Sequence, residues 1–266
     1  MPNLPDYETL LLQTIDDDVL VVTLNRPEAL NAITTQMGLD RLDLWQRLTA
    51  DAGALRAVVV TGAGERAFCA GGDLKQRKGM SDAEWRHQHE IFEREVVALW
   101  DCPIPVIAAV NGHAYGGGLE FALSCDFIYA AAGASFALSE TKLGIMPGGG
   151  GTQTLARAVG ERRAKELIFS ARPFSAEEAA RWGLVNEVCE RSELMPRALA
   201  CARRIADNAP LSVRQAKKSI HHGLQTDLMT GYRYEIEAYN RLVVSQDRHE
   251  GVLAFNEKRK PRFKGE

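Results

Sequence analysis

The chain has 266 residues, with 32 Lys and Arg against 35 Asp and Glu, a net charge of −3, 45% hydrophobic and 25% charged residues. That balance excludes disordered and collagen-like proteins and leaves room for a sizeable core in one large domain, or in one domain with an appendage. A slightly acidic chain exerts no overall pull on nucleic acid or an anionic membrane, so an anionic ligand has to be met by a local site.

The first residues are acidic, with Asp6, Glu8 and Asp16 to Asp18 and no basic residue before Arg26. This is not the charge pattern of a signal or transit peptide. Val19 to Leu24 and Arg56 to Thr61 are short β-branched, apolar runs that read as buried strands. Between them Ile33, Met37, Leu44 and Leu48 recur at helical spacing, which predicts a strand–helix–strand crossover. Ser81-x-x-Glu84 is a capping box opening a helix expected to end near Cys102 and Pro103. Pro105 to Val110 is the third strong strand, Leu119 to Cys125 a helix after a glycine cluster, and Phe127 to Ala130 a fourth strand. Beyond Gly151 strands thin out to Leu184 to Val188, with Ser175-x-x-Glu178 capping a short helix. From Pro196 onward amphipathic helices dominate; one carries Leu228, Tyr232, Ile236, Tyr239 and Val243 as a stripe suited to packing within the chain or between subunits. The expected organisation is an α/β core over 1–195 that merges into a helical region over 196–266.

Five cysteines, Cys69, Cys102, Cys125, Cys189 and Cys201, include no C-x-x-C pair. Their odd number and spacing argue against a disulfide framework or a zinc ribbon and for reduced thiols, which fits the cytoplasm. The longest weakly polar run, Phe127 to Leu138, has about 12 residues against the roughly 18 needed to span a bilayer, so no membrane association is expected.

Three segments carry candidate chemistry. Asn111-Gly-His-Ala-Tyr-Gly-Gly-Gly-Leu-Glu120 follows a strand and opens a helix, where unpaired N–H groups and the positive end of the dipole can hold negative charge. Glu120 would lie about one turn along from that donor. The same residues would also serve as a tight packing turn, with Glu120 a favourable N-terminal charge. A second glycine turn, Ala67-Phe-Cys-Ala-Gly-Gly-Asp-Leu-Lys75, could add a backbone donor, and two converging donors make an oxyanion hole. The third, Phe136-Ala-Leu-Ser-Glu-Thr-Lys-Leu-Gly-Ile-Met-Pro-Gly-Gly-Gly-Gly151, brings Glu140 and four glycines before a helix.

Together these strings, with Leu24-Asn-Arg-Pro-Glu-Ala-Leu-Asn-Ala32 and Asp247-Arg-His-Glu-Gly-Val-Leu-Ala-Phe-Asn-Glu-Lys-Arg259, resemble the enoyl-CoA hydratase/isomerase (crotonase) superfamily over essentially the whole chain. Glu140-Thr-Lys-Leu, the four-glycine loop and Ala164-Lys-Glu-Leu-Ile-Phe-Ser-Ala-Arg172 are most similar to its methylglutaconyl-CoA hydratase branch. The resemblance implies a crotonase-type spiral of ββα units with a C-terminal helical trimerisation region, self-associated as a trimer or a dimer of trimers. It implies reversible addition of water to an α,β-unsaturated acyl-CoA, on a short branched substrate such as methylglutaconyl-CoA, or alternatively enoyl-CoA isomerisation. It assigns the oxyanion amides to Gly72 and Gly117 and the paired acid/base carboxylates to Glu120 and Glu140. CoA contacts fall on Arg26, Ala29, Ala70, Gly71, Asp73, Leu74, Lys75 and Gly116, with Phe255 and Lys258 reaching the nucleotide from a neighbouring subunit. Beyond the coenzyme A of the substrate it implies no cofactor, and no metal.

Two other readings compete. Val58-Val-Val-Thr-Gly-Ala-Gly-Glu-Arg-Ala67 mimics a dinucleotide-binding turn, which requires a helix directly after it. The methylglutaconyl-CoA branch also implies RNA binding through lysines on an early helix. Here the helix expected over 32–51 carries Asp40, Arg41, Asp43, Arg47 and Asp51 and no lysine, so it offers phosphates no basic stripe. His113, beside the glycine cluster, is a candidate pocket residue or a packing one.

Overall fold

The computed structural model describes residues 2–266. Two strands open it as an antiparallel hairpin, β1 (Leu10–Ile15) and β2 (Val19–Leu24). A 3-10 turn at Pro27–Ala29 leads to helix α1 (Thr35–Ala50), whose first turn is capped by the Thr34 hydroxyl accepting from the Met37 amide. β3 (Ala57–Gly62) then pairs parallel with β2, completing the expected crossover.

Three passes of the chain follow, each a long strand, a short strand and helix. The first runs β3, β4 (Ala67–Cys69), α2 (Leu74–Arg77) and α3 (Asp82–Trp100). The second is β5 (Val106–Val110), β6 (His113–Tyr115) and α4 (Gly117–Ser124). The third is β7 (Phe127–Ala131), β8 (Ser135–Ala137), α5 (Gly151–Val159) and α6 (Glu161–Ser170). After β9 (Phe174–Ser175) and α7 (Ala176–Arg181), β10 (Glu187–Cys189) leads into α8 (Arg191–Ala206). Long strands join one sheet in the order β1-β2-β3-β5-β7-β10, and short ones a second sheet in the order β4-β6-β8-β9. This is the spiral of ββα units.

The inner strands of the long sheet, β2, β3, β5 and β7, are buried on both faces, which is why they are nearly continuous apolar runs. Val58, Val60, Val106, Ala108 and Val110 point into the larger core with Trp45, Phe68 and Phe121. Their alternates Ala57, Val59, Ile107 and Ala109 face a second core closed by Leu194, Ala198 and Ala202 of α8. α8 runs through Pro196, so the expected division between 195 and 196 falls inside a helix that covers the sheet. The remaining helices are α9 (Pro210–Gly223), α10 (Leu228–Val243) and α11 (Gln246–Glu257). α9 and α10 pack as a hairpin that brings Gly223 against Gly231. The α10 stripe is left uncovered by the chain, with Leu228, Tyr232 and Tyr239 more than half exposed.

Both expected capping boxes are formed, at Ser81 with Glu84 and at Ser175 with Glu178. The strand expected over 184–188 is displaced to Glu187–Cys189. Leu184 and Val185 instead donate to the Ala179 carbonyl, at 3.0 and 3.3 Å, closing a turn through Gly183 at φ 81°. β3 is followed by β4 and not by a helix, which removes the dinucleotide-turn reading. No described helix is long and apolar enough to cross a membrane.

Candidate active site

β4, β6 and β8 are adjacent and parallel in the short sheet, so their C-terminal ends lie side by side. Strands sit about 4.8 Å apart in a sheet. Segments leaving three successive strands in one direction are therefore brought together, although the chain separates them widely. The turn after β4 carries Gly71 and Gly72, the one after β6 carries Gly116 and Gly117, and the one after β8 carries Glu140.

The two glycine turns touch. A Cβ built on Gly71 would fall 3.2 Å from the Gly117 nitrogen, and one built on Gly117 would fall 3.9 Å from the Gly72 nitrogen. Gly71 holds φ at 88°, and a side chain there would also meet the Tyr115 carbonyl oxygen at 2.7 Å, so only glycine fits. Gly118 backs onto β4 so closely that any Cβ would overlap the Cys69 carbonyl.

The direction of the Gly72 amide follows from its neighbours. Gly71 accepts from the Ile33 amide at 2.8 Å and Asp73 donates to the Ile33 carbonyl at 2.9 Å. In extended chain alternate groups point to opposite sides, so the intervening Gly72 N–H faces away from Ile33. Gly117 is the first residue of α4, where an amide has no acceptor within the helix. Among the described residues neither amide donates to a protein acceptor. Both line a cavity of about 810 Å³ together with Ala70, Gly71, Gly116, Glu120 and Glu140.

The two carboxyl groups differ in their surroundings. Glu120, in the first turn of α4, is buried, and its Oε1 accepts from the amides of Gly149 and Gly151, each at 2.8 Å. Burial pushes its pKa up, while the amides of Gly151, Gly149 and Gly148 pull the other way. Glu140 opens a 3-10 turn over Glu140–Leu143 and is 8% exposed. Neither of its oxygens has a hydrogen-bond partner among the described residues. Burial first, and then the charge of Glu120, raise its pKa from 4.5 to about 7. One carboxylate is thus clamped by fixed dipoles and its neighbour is poised to exchange a proton near neutrality.

Other expected contact residues fall around this centre in different ways. Leu74 lines the cavity. Arg26 and Asp73 lie outside it and are engaged with each other: Arg26 NH1 donates to Asp73 Oδ2 at 3.0 Å and to the Ala32 carbonyl at 2.6 Å. The other Asp73 oxygen caps α2 by accepting from Lys75 and Gln76. Ala29 ends the 3-10 turn beside Arg26, and Lys75 is exposed on α2. Phe255, 84% exposed on α11, and Lys258, in left-handed conformation just beyond it, lie outside the cavity. His113 is exposed on β6 and outside the cavity as well, because β6 turns Ala114 inward and its neighbours out.

The far wall of the cavity was not legible residue by residue. α3 contributes Trp85, His89, Phe92 and Val96, α2 contributes Arg77, and the loop before α5 contributes Ile145 and Met146. Behind them Arg41 pairs with Glu95 at 2.8 Å, both buried, and Glu95 also accepts from the Trp45 indole at 3.0 Å. Arg41 lies 4.2 Å above the Phe121 ring. Helical spacing located α1 and the capping box located α3, but neither showed which turns face the cavity.

Comparison with known proteins agrees with the fold and the motifs. The family model described as enoyl-CoA hydratase/isomerase matches residues 14–266. The short-chain-enoyl-CoA hydratase of Clostridium acetobutylicum is 44% identical over 242 residues, covering 91% of this chain and 92% of that protein. The mitochondrial methylglutaconyl-CoA hydratase of Mus musculus is 40% identical over 252 residues, covering 93% and 80%. Among solved structures, an enoyl-CoA hydratase from Bacillus anthracis superposes with a TM-score of 0.95 at 42% identity, covering 97% of this chain and all of the other.

Proposed function

This chain belongs to the enoyl-CoA hydratase/isomerase family, and we propose that it adds water reversibly to the double bond of an α,β-unsaturated acyl-CoA. The supporting observation is a buried Glu140 beside an amide-clamped Glu120, in one cavity with two amides, where neither the Glu140 carboxyl nor the amides have a hydrogen-bond partner among the described residues.

Attack of water on the β-carbon moves negative charge onto the thioester oxygen as an enolate. The Gly72 and Gly117 amides, held by the backbone, then stabilise the transition state more than the substrate, a contribution on the order of 3 kcal/mol per donor. As the oxygen of water bonds to the β-carbon, Glu120 takes one of its protons, and Glu140 in its protonated form gives one to the α-carbon. A proton passed from Glu120 to Glu140 resets the pair. The same frame would support double-bond isomerisation, but two carboxyl groups of unlike environment favour hydration, which needs one proton removed and another delivered.

The acyl group is read as short, and the methylglutaconyl-CoA hydratase of Mus musculus makes a branched, carboxylated one a specific candidate. CoA is expected to run past the Ala70 to Lys75 turn, with Arg26, Ala29, Phe255 and Lys258 around the nucleotide. We read the uncovered stripe on α10 as a self-association surface, to be checked by light scattering for a trimer or a dimer of trimers. Localisation in the cytoplasm and the absence of a metal or nicotinamide remain part of this reading.

The test is hydration of crotonyl-CoA, followed by loss of the enoyl-thioester absorbance. Glu120→Gln and Glu140→Gln are each expected to lower kcat by about 100- to 10,000-fold with little change in KM. Full activity in either variant would overturn the two-carboxyl mechanism.

A further inference from the structure

Among the described residues, one cation of the cavity has no anion within ion-pair distance. Arg77 ends α2 and is half-buried. Its Nε donates to Gln88 Oε1 at 2.8 Å, and Gln88 is itself buried and donates to Thr35 and Gln76. Its guanidinium lies over the Trp85 ring, 4.3 Å from the centroid, and 5.8 Å from that of Phe92. The side chain is therefore fixed in place. Among the described residues its two terminal nitrogens have no acceptor, and no carboxylate lies within ion-pair distance of them.

The other buried or half-buried cations near the cavity are already matched. Arg41 is paired with Glu95 and Arg26 with Asp73. Glu90 and Glu93 of α3 also line the cavity, beside His87 and His89, with their side chains largely exposed. Arg86 also lines the cavity but is exposed. Burial pushes the Arg77 pKa down with no opposing charge to offset it. A desolvated cation without a counterion is destabilising, and a ligand that brings the counterion recovers that loss.

Position narrows the kind of anion. A Cβ built on Gly72 would lie 3.1 Å from Arg77 Cζ and 3.2 Å from its NH1, so the guanidinium sits beside one of the two amides assigned to the thioester oxygen. The phosphates of coenzyme A are held away from the thioester by the whole pantetheine arm. An anion at Arg77 is thus more simply a part of the acyl group. The planar, double-donor edge of a guanidinium matches a carboxylate.

We propose that Arg77 is a specificity-determining residue that pairs with a carboxylate at the far end of the acyl chain, so that the substrates are enoyl-CoA thioesters of dicarboxylic acids. This rests on the hydration reading above and adds the residue that would select a carboxylated acyl group over an uncharged one. The walls contributed by Trp85, Phe92, Ile145 and Met146 pack the apolar part of the acyl chain between the two polar ends.

The experiment compares kcat/KM for glutaconyl-CoA and crotonyl-CoA, which differ only by the distal carboxylate, in wild type, Arg77→Met and Arg77→Lys. Wild type is expected to favour glutaconyl-CoA, and Arg77→Met to lower the glutaconyl-to-crotonyl ratio by roughly 10- to 100-fold, the size of a hydrogen-bonded charge contact. Arg77→Lys is expected to restore part of the ratio. Hydration of crotonyl-CoA with no preference for glutaconyl-CoA overturns this proposal and leaves the hydration reading intact. An equal loss on both thioesters in Arg77→Met also overturns it, because the guanidinium would then serve the CoA portion they share. Hydration of neither overturns both.

Discussion

Replacing Glu140 by glutamine separates what the carboxyl group does for chemistry from what it does to stability. The Glu140 carboxyl makes no hydrogen bond among the described residues, and glutamine fills the same space, so the substitution breaks no side-chain hydrogen bond. It removes the ability to ionise. In the folded protein the pKa rises from 4.5 to about 7, mainly because ionisation would place a charge in a buried site next to Glu120. A carboxyl whose folded pKa lies above its unfolded one stabilises the fold fully below about 4.5 and loses that contribution as pH rises through about 7. At about 1.4 kcal/mol for each pH unit between those values, the ionised group costs on the order of 3 kcal/mol at alkaline pH. Glu140→Gln is therefore expected to match wild type near pH 4 and to exceed it by that order near pH 9, read as the urea midpoint across the pH series. Activity should move in the opposite direction. The variant loses most of its kcat, and wild-type hydration declines as pH rises above about 7, where the proton donor is ionised. A variant no more stable than wild type at alkaline pH, or one with the same pH dependence of its midpoint, would refute the assignment of a raised pKa to this residue.

Further outcomes can be checked in the same urea series. Glu95→Gln leaves Arg41 buried without its anion and is expected to cost about 3–5 kcal/mol, a large fraction of a typical fold's stability. Ser175→Ala removes the hydroxyl that accepts from the Glu178 amide at 3.2 Å and should cost about 1 kcal/mol without affecting hydration, since Ser175 does not line the cavity.

Much of the fold was legible because its long strands and helices carry strong periodic signals. The apolar runs of β2, β3, β5 and β7 and the capping boxes of α3 and α7 lie close to where the residues put them. β1 was hidden by the acidic turn that follows it, whose Asp16 and Asp17 take φ values of 50° and 64°, a left-handed conformation that aspartate tolerates. The short strands β4, β6, β8 and β9 have two or three residues each, too few for a period-two pattern to register. In the site, the glycine turns and both glutamates stood out as strings. Their unequal environments did not, because the amides that clamp Glu120 arrive 29 and 31 residues further along the chain. In the sequence Arg41 is only part of an early helix without a basic stripe, and Arg77 lies between the second glycine turn and the helix from Ser81, where no element is expected; only packing shows which of these charges turns inward.

On the proposed reading the carbonyl grip would come from the first and second passes of the spiral and the proton donor from the third, so reactivity would need all three passes together. Two stacked turns would present an anion cradle with nothing to titrate beside it. On that reading the chemistry would arise only when residue 140 docks against backbone laid down some seventy residues earlier, and turnover would report on the registry of three layers at once.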